Sequence, residues 1–223
     1  MEIFFKIIML ATSVVGLAFI IERGIALRWN RVVPRGVEDA AEACRIPADR
    51  PVLRRICEQS PSPLARLLLA AEEHLDLPKE ENESAVQTRA RQEIVRLERG
   101  LVVLEIVVGI APLLGLVGTI YGMMTLFGSL GETGLSDNTV LARGISLILQ
   151  FTMMGLLIAI PSLIAWNYYS KKVEMLAVEM ESVCAEFLSR QYRAETHIQS
   201  RKEPAIELPR ESRKESGKVP AVK

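Results

Sequence analysis

The sequence predicts an all-α membrane protein with three transmembrane helices, the second and third extended into the cytoplasm. Three observations carry this. No charged side chain falls between Ile106 and Gly131, and none between Gly144 and Ser170. Each run exceeds the roughly 20 apolar residues that cross a bilayer core of about 30 Å. Unpaired backbone amides are too costly in hydrocarbon, so such runs must be helices. A third apolar stretch, Ile3 to Ile21, is interrupted only by Lys6, whose stem can snorkel to the headgroups.

Residues 1–21 form the first span. They do not make a good cleavable signal peptide, because Glu22-Arg23 stands where small residues belong at a cleavage site. Basic residues then set the orientation. Arg23, Arg28, Arg31 and Arg35 follow span one, Arg89, Arg91, Arg96 and Arg99 precede span two, and Lys171 and Lys172 follow span three. The connection between spans two and three has Glu132 and Asp137 but no Lys or Arg over 129–142. The positive-inside rule therefore puts the N-terminus and that turn outside, and the middle loop and C-terminus in the cytoplasm.

Residues 22–100 read as a cytoplasmic helical segment, too short and too poor in apolar residues to stand as a separate domain. Ser62-Pro63 starts a helix, with Ser as N-cap and Pro at the first helical position. Leu64, Leu67, Leu68, Ala71 and Leu75 make its apolar stripe, and Pro78 ends it. A second helix from Lys79 carries Val86, Ala90, Ile94, Leu97 and Leu101 on one face and runs without a breaker into span two. Span two is residues 101–130, the outer turn 131–142, and span three 143–170. Over 171–199 the apolar residues Val173, Leu176, Met180, Val183 and Phe187 recur at heptad-like spacing on a charged helix. That seam has a partner either within one subunit or between subunits. The tail, 200–223, has the composition of a disordered segment.

Inside the membrane the polar atoms are few. Thr119 on span two lies about ten residues from the outer turn and Thr152 on span three about nine, hence both near ~15 Å deep, at the midplane. Two readings stand: each hydroxyl bonds back to a carbonyl one turn earlier, or the pair lines a hydrated path. Gly115, Gly118 and Gly122 line one side of span two, a surface for close helix packing that implies neighbours and hence an oligomer. Pro112 and Pro161 lie in the cytoplasmic halves of their spans, where each removes a helix hydrogen bond and can kink it. Ser146 and Gln150 are one turn apart and form a further polar pair able to hold water. Glu105 marks the inner end of span two.

Enzyme chemistry is not expected. There is no phosphate loop, nucleophile elbow or zinc spacing, and His74 and His197 are isolated on polar stretches and read as surface residues. Cys44, Cys57 and Cys184 are widely separated and read as free thiols. No cofactor or metal is expected. A basic patch with interleaved aromatics is missing, which argues against nucleic acid, and lipid is the expected surroundings.

Ala111–Met123 resembles the AP-xx-G-LxGT-xxG signature of the MotA/TolQ/ExbB proton-channel family, most closely its three-span ExbB/TolQ branch. The likeness resumes at Gly144-Ile145-Ser146, Thr152–Pro161 and Asn167, and Glu22-Arg23 and Leu97-Glu98-Arg99 fit as well. The resemblance implies a bacterial inner-membrane, pentameric ring of this chain around single-span partners of the ExbD/TolR type. A membrane Asp of the partner would carry the proton, with Thr119 and Thr152 lining its path. Ion flow would do work on the envelope or an outer-membrane transporter through a TonB- or TolA-like protein. The residues demand such a partner independently, since spans two and three offer no group that gains and loses a proton. One position departs from the pattern: Leu147 stands where family members usually carry a glutamate. Tyr121 and Trp166 also replace aromatics of another type. The rival to a proton channel is a non-conducting membrane scaffold that keeps the same fold.

Overall fold

The computed structural model describes residues 2–133 and 138–202, and among these only helices and their connections occur. Three helices are long and apolar enough to cross a membrane: α1 (Glu2–Ala26), α7 (Leu101–Thr133) and α8 (Asn138–Lys202). α1 continues past Ile21 to Ala26, carrying Arg23 on its last turn. Between α1 and α7 come α2 (Trp29–Val32), α3 (Arg35–Ala43), a short 3-10 turn, α4 (Arg50–Gln59), α5 (Pro63–Glu73) and α6 (Lys79–Glu98). The connection between α7 and α8 and the tail from 203 onward, expected to be disordered, lie outside the described residues.

α7 and α8 form an antiparallel hairpin whose backbones nearly touch. A methyl placed on Gly155 would come within 2.8 Å of the Ala111 carbonyl oxygen and 3.2 Å of the Gly115 Cα. Further along, Gly118 faces the Phe151 ring, Gly122 faces Ile148 and Gly144 faces Leu126. Small residues thus come from both helices along the seam: Gly115 and Gly155 bring backbone against backbone, while Gly118, Gly122 and Gly144 each receive a larger side chain from the opposite helix. Such packing matters in lipid, where apolar contact with the solvent is already available and only closer contact draws helices together. Both helices pass unbroken through their prolines, Pro112 and Pro161.

α1 lies against this pair, antiparallel to α7 and parallel to α8. Its Phe5 ring sits 5.3 Å from the Tyr121 ring and 6.3 Å from that of Phe151. Gly16 meets Ser162 and Val107, and the Tyr169 hydroxyl donates to the Ile20 carbonyl at 2.9 Å.

The remaining helices bury their apolar stripes against the far half of α8, which runs about 98 Å in all. The stripe of α5 is buried from Leu64 to Leu75, with the Ser62 hydroxyl accepting from the Ala65 amide as its cap. The heptad-like seam of α8 is covered within the same chain: Leu176, Met180 and Phe187 join Val37, Leu53, Leu68 and Val86 in one core. Cys44, Cys57 and Cys184 are free and buried in that core. Gln191 ties α8 to the end of α3 by donating to the Cys44 carbonyl at 3.0 Å, and it accepts from Arg50. Glu93, fully buried on α6, pairs with Arg66 at 2.6 Å and Arg96 at 2.7 Å.

Two expectations need correcting. α6 does not run straight into span two; the helix is interrupted at Arg99–Gly100. There the Arg23 guanidinium packs on Gly100, where any Cβ would collide with it, and donates to the Leu97 carbonyl at 3.4 Å. That carbonyl is the one Leu101 would need to continue the helix. His74 is half-buried rather than a free surface residue, its Nδ1 2.8 Å from the Ala70 carbonyl at the end of α5.

Candidate functional site

The predicted polar residues of the hairpin fall into two groups. Gly118 receives Phe151, so the next residue on each antiparallel helix, Thr119 and Thr152, sits at the same level of the seam. Neither side chain is buried within the protomer: Thr119 is half-buried and Thr152 exposed. Their hydroxyls differ. Thr119 donates back to the Leu116 carbonyl at 2.6 Å, leaving its oxygen free to accept. Thr152 has no hydrogen bond among the described residues, so its hydroxyl can still donate and accept. One threonine therefore follows the back-bonding expectation and the other does not.

Gly115, Gly118 and Gly122 flank this pair along the contact with α8, and a methyl on Gly115 would also touch the backbone at Thr152. Gly155 completes the closest approach. It was not singled out from the sequence, although its place four residues before Ala159 follows the small-residue spacing seen on α7. Pro112 is half-buried and Pro161 exposed, one on each helix below the threonines.

Ser146 and Gln150 are not at this level face. They line a cleft of about 480 Å³ near the loop end of the hairpin, with Arg143, Thr125 and Ser129, and neither Thr119 nor Thr152 borders it. Helical geometry agrees, since Arg143 and Thr152 are nine residues apart and point about 180° from one another around α8. Leu147 lines the same cleft. Arg143 went unnoticed in the sequence because it closes the apolar run rather than interrupting it.

The threonine level contains no group able to exchange a proton: the hairpin is uncharged from 106 to 131 and from 144 to 170. Among the described residues no cluster of metal-ligating side chains occurs. What the arrangement offers is a pair of hydroxyls, close helix packing, and large apolar side chains exposed on both helices, including Leu116, Ile120, Met153 and Leu156.

Residues 59–182 match the model of the MotA/TolQ/ExbB proton channel family. The chain belongs to this family. All the hairpin residues named above lie within the matched stretch. Among its relatives, the biopolymer transport protein ExbB of Helicobacter pylori is 38% identical over 81 residues, 36% of this chain and 56% of that protein. The Tol-Pal system protein TolQ of Pseudomonas aeruginosa is 34% identical over 103 residues, 46% of this chain and 45% of that protein. A putative ExbB-like protein of Synechocystis is 29% identical over 165 residues, 72% of this chain and 78% of its own length. The chain thus matches roughly half the length of the first two relatives. It is an all-α membrane protein of the ExbB/TolQ branch.

Proposed function

We propose that this chain is the ring-forming subunit of an inner-membrane proton channel that turns proton-motive force into mechanical work on the cell envelope. The observation that carries the reading is the Thr119–Thr152 level: two threonines, reachable from outside the protomer, on a stretch of the hairpin that carries no charged group from 106 to 131 or from 144 to 170. Hydroxyls can pass or steady a proton but cannot hold one near neutral pH. The carrier must therefore come from another helix, and a carboxylate is the group whose charge is cancelled by protonation as it moves through hydrocarbon.

In this reading the chain forms a pentamer around single-span partners of the ExbD/TolR type, each supplying a membrane Asp, and the work passes on through a TonB- or TolA-like protein. In this reading, which the basic flanks support, the N-terminus and the α7–α8 connection lie in the periplasm and α2–α6 with the far half of α8 in the cytoplasm. One charge crossing 100 mV releases about 2.3 kcal/mol, so several protons per step suffice for a conformational stroke.

Leu147 favours a second reading. A ring without a carboxylate at that position can be a scaffold that keeps the fold and conducts nothing. Proton uptake into vesicles holding the chain and its co-purified single-span partner separates the two. Under the channel reading Thr152→Val lowers partner-dependent uptake roughly tenfold, the effect of one lost hydrogen bond, and Thr152→Ser retains most of it. Uptake that ignores Thr152→Val, or is missing from the unaltered complex, supports the scaffold.

A further inference from the structure

The cleft near the loop end of the hairpin lies away from the threonines and has a chemistry of its own. On α7 its polar liners Thr125 and Ser129 follow Tyr121 at four-residue intervals, and Tyr121 is where α7 meets Phe5 of α1. The cleft therefore continues the α1-facing side of the hairpin. Its liners divide by what they still have to give. Thr125 donates to the Tyr121 carbonyl and Ser129 to that of Leu126. Arg143, Ser146 and Gln150, at i, i+3 and i+7 on α8, make no hydrogen bond or ion pair among the described residues. Three sets of uncommitted donors thus line one strip of helix, the outermost a guanidinium.

A second groove adjoins the first and shares Ser146 and Gln150 with it. Its other walls are apolar: Ile145, Leu149 and Met153, with Ala142. A donor-rich cleft opening into an apolar groove along the helix axis matches a molecule with an acceptor-rich anionic head and a hydrocarbon chain.

We propose that this paired cleft and groove is a phospholipid site, with Arg143 holding the headgroup phosphate, Ser146 and Gln150 donating beneath it, and an acyl chain along Ile145, Leu149 and Met153. The depth fits on the channel reading above, on which this placement rests. With Thr152 at the midplane, Arg143 is about 13.5 Å above it, just inside the edge of the hydrocarbon core, within reach of the phosphates. The phosphate oxygens accept only, which suits a guanidinium fork. A net-anionic headgroup is preferred because a zwitterion brings its own ammonium towards Arg143.

The main arms of the test use the chain alone. The full chain is purified in mild detergent, and retention of phosphatidylglycerol is followed by native mass spectrometry during stepwise delipidation. Arg143→Gln should lower retention about tenfold or more, the loss of one charge-assisted hydrogen-bonded contact. Arg143→Lys should keep part of it, and Arg55→Gln, on an exposed arginine of α4, should change nothing. In the unaltered protein a phosphate-free glycolipid should fail to compete, as should excess inorganic phosphate; these arms do not depend on any variant folding. Equal retention in Arg143→Gln overturns the proposal. So does displacement by inorganic phosphate, which would make the site one for free oxyanions, or displacement by the single-span partner, which would give Arg143 to a protein carboxylate. Loss of uptake in Thr152→Val with lipid retention indifferent to Arg143 would sink this inference alone and leave the channel standing.

Discussion

Cys57 and Cys184 sit among α4, α5, α6 and α8, and burial governs their chemistry. Removal from water pushes the Cys57 thiol up to about 11 and the Cys184 thiol up to about 12, with Glu72 and Cys57 adding smaller pushes in the same direction. A raised acid is held protonated by the folded state, so the folded protein binds more protons than the unfolded chain once pH exceeds the usual thiol value of 9.0. The resulting stability is whole below that value and is lost as pH climbs towards 12. The thermal unfolding midpoint of the helical body should therefore drop between about pH 9 and about pH 12. A Cys57→Ala, Cys184→Ala variant should drop less over the same interval, and equal slopes would refute the account. The sequence reading of these residues as free thiols came from their separation along the chain; that folding gathers them into one core was not legible, because nothing in their spacing says so. Arg143 and Glu93 were opaque for a related reason. A charged residue at the end of a run, or one inside a charged helix, shows its role only through what stands beside it.

At the scale of the element, periodicity told more than it left out. The stripes of α5, α6 and α8 name the faces that are buried, because a 3.6-residue repeat reports which side of a helix avoids water. They do not report what covers that side, so the seam of α8 was equally compatible with a partner in the same chain and one in a neighbour. The break at Arg99–Gly100 was hidden for the same reason, since it depends on Arg23 arriving from α1. The α7–α8 seam makes a sharp prediction. Gly155→Ala puts a methyl against backbone, the Ala111 carbonyl oxygen at 2.8 Å, and backbone cannot rotate away as a side chain can. The helices must part, at a cost of about 1–3 kcal/mol. Gly109→Ala and Gly128→Ala, where a methyl meets nothing within 4 Å, should leave the unfolding midpoint in detergent unchanged. If Gly155→Ala matched those two, the hairpin would not be held by close backbone contact.

For the molecule as a whole, α8 belongs to both the membrane hairpin and the helical body. Its first half pairs with α7, and its second half supplies Leu176, Met180, Cys184, Phe187 and Leu188 to the core that α3–α6 share. It also supplies the polar ties of that core: Gln191 to Cys44, Tyr192 to the Leu77 carbonyl, and Glu195 to Arg50. Residues 22–100 read as too short and too poor in apolar residues to stand as a separate domain; in the structure one wall of their core comes from α8, nearly a hundred residues later. A chain ended after Lys172 keeps its three spans but loses that wall. Five buried apolar side chains at about 1.5–3 kcal/mol each amount to roughly 10 kcal/mol, comparable to the whole stability of a typical domain at about 5–15 kcal/mol. The truncated chain should still insert, yet trypsin should cut rapidly at Arg54, Arg55 and Arg66, sites that α4 and α5 keep helical in the full chain. Equal resistance in the two chains would mean that α2–α6 hold themselves together.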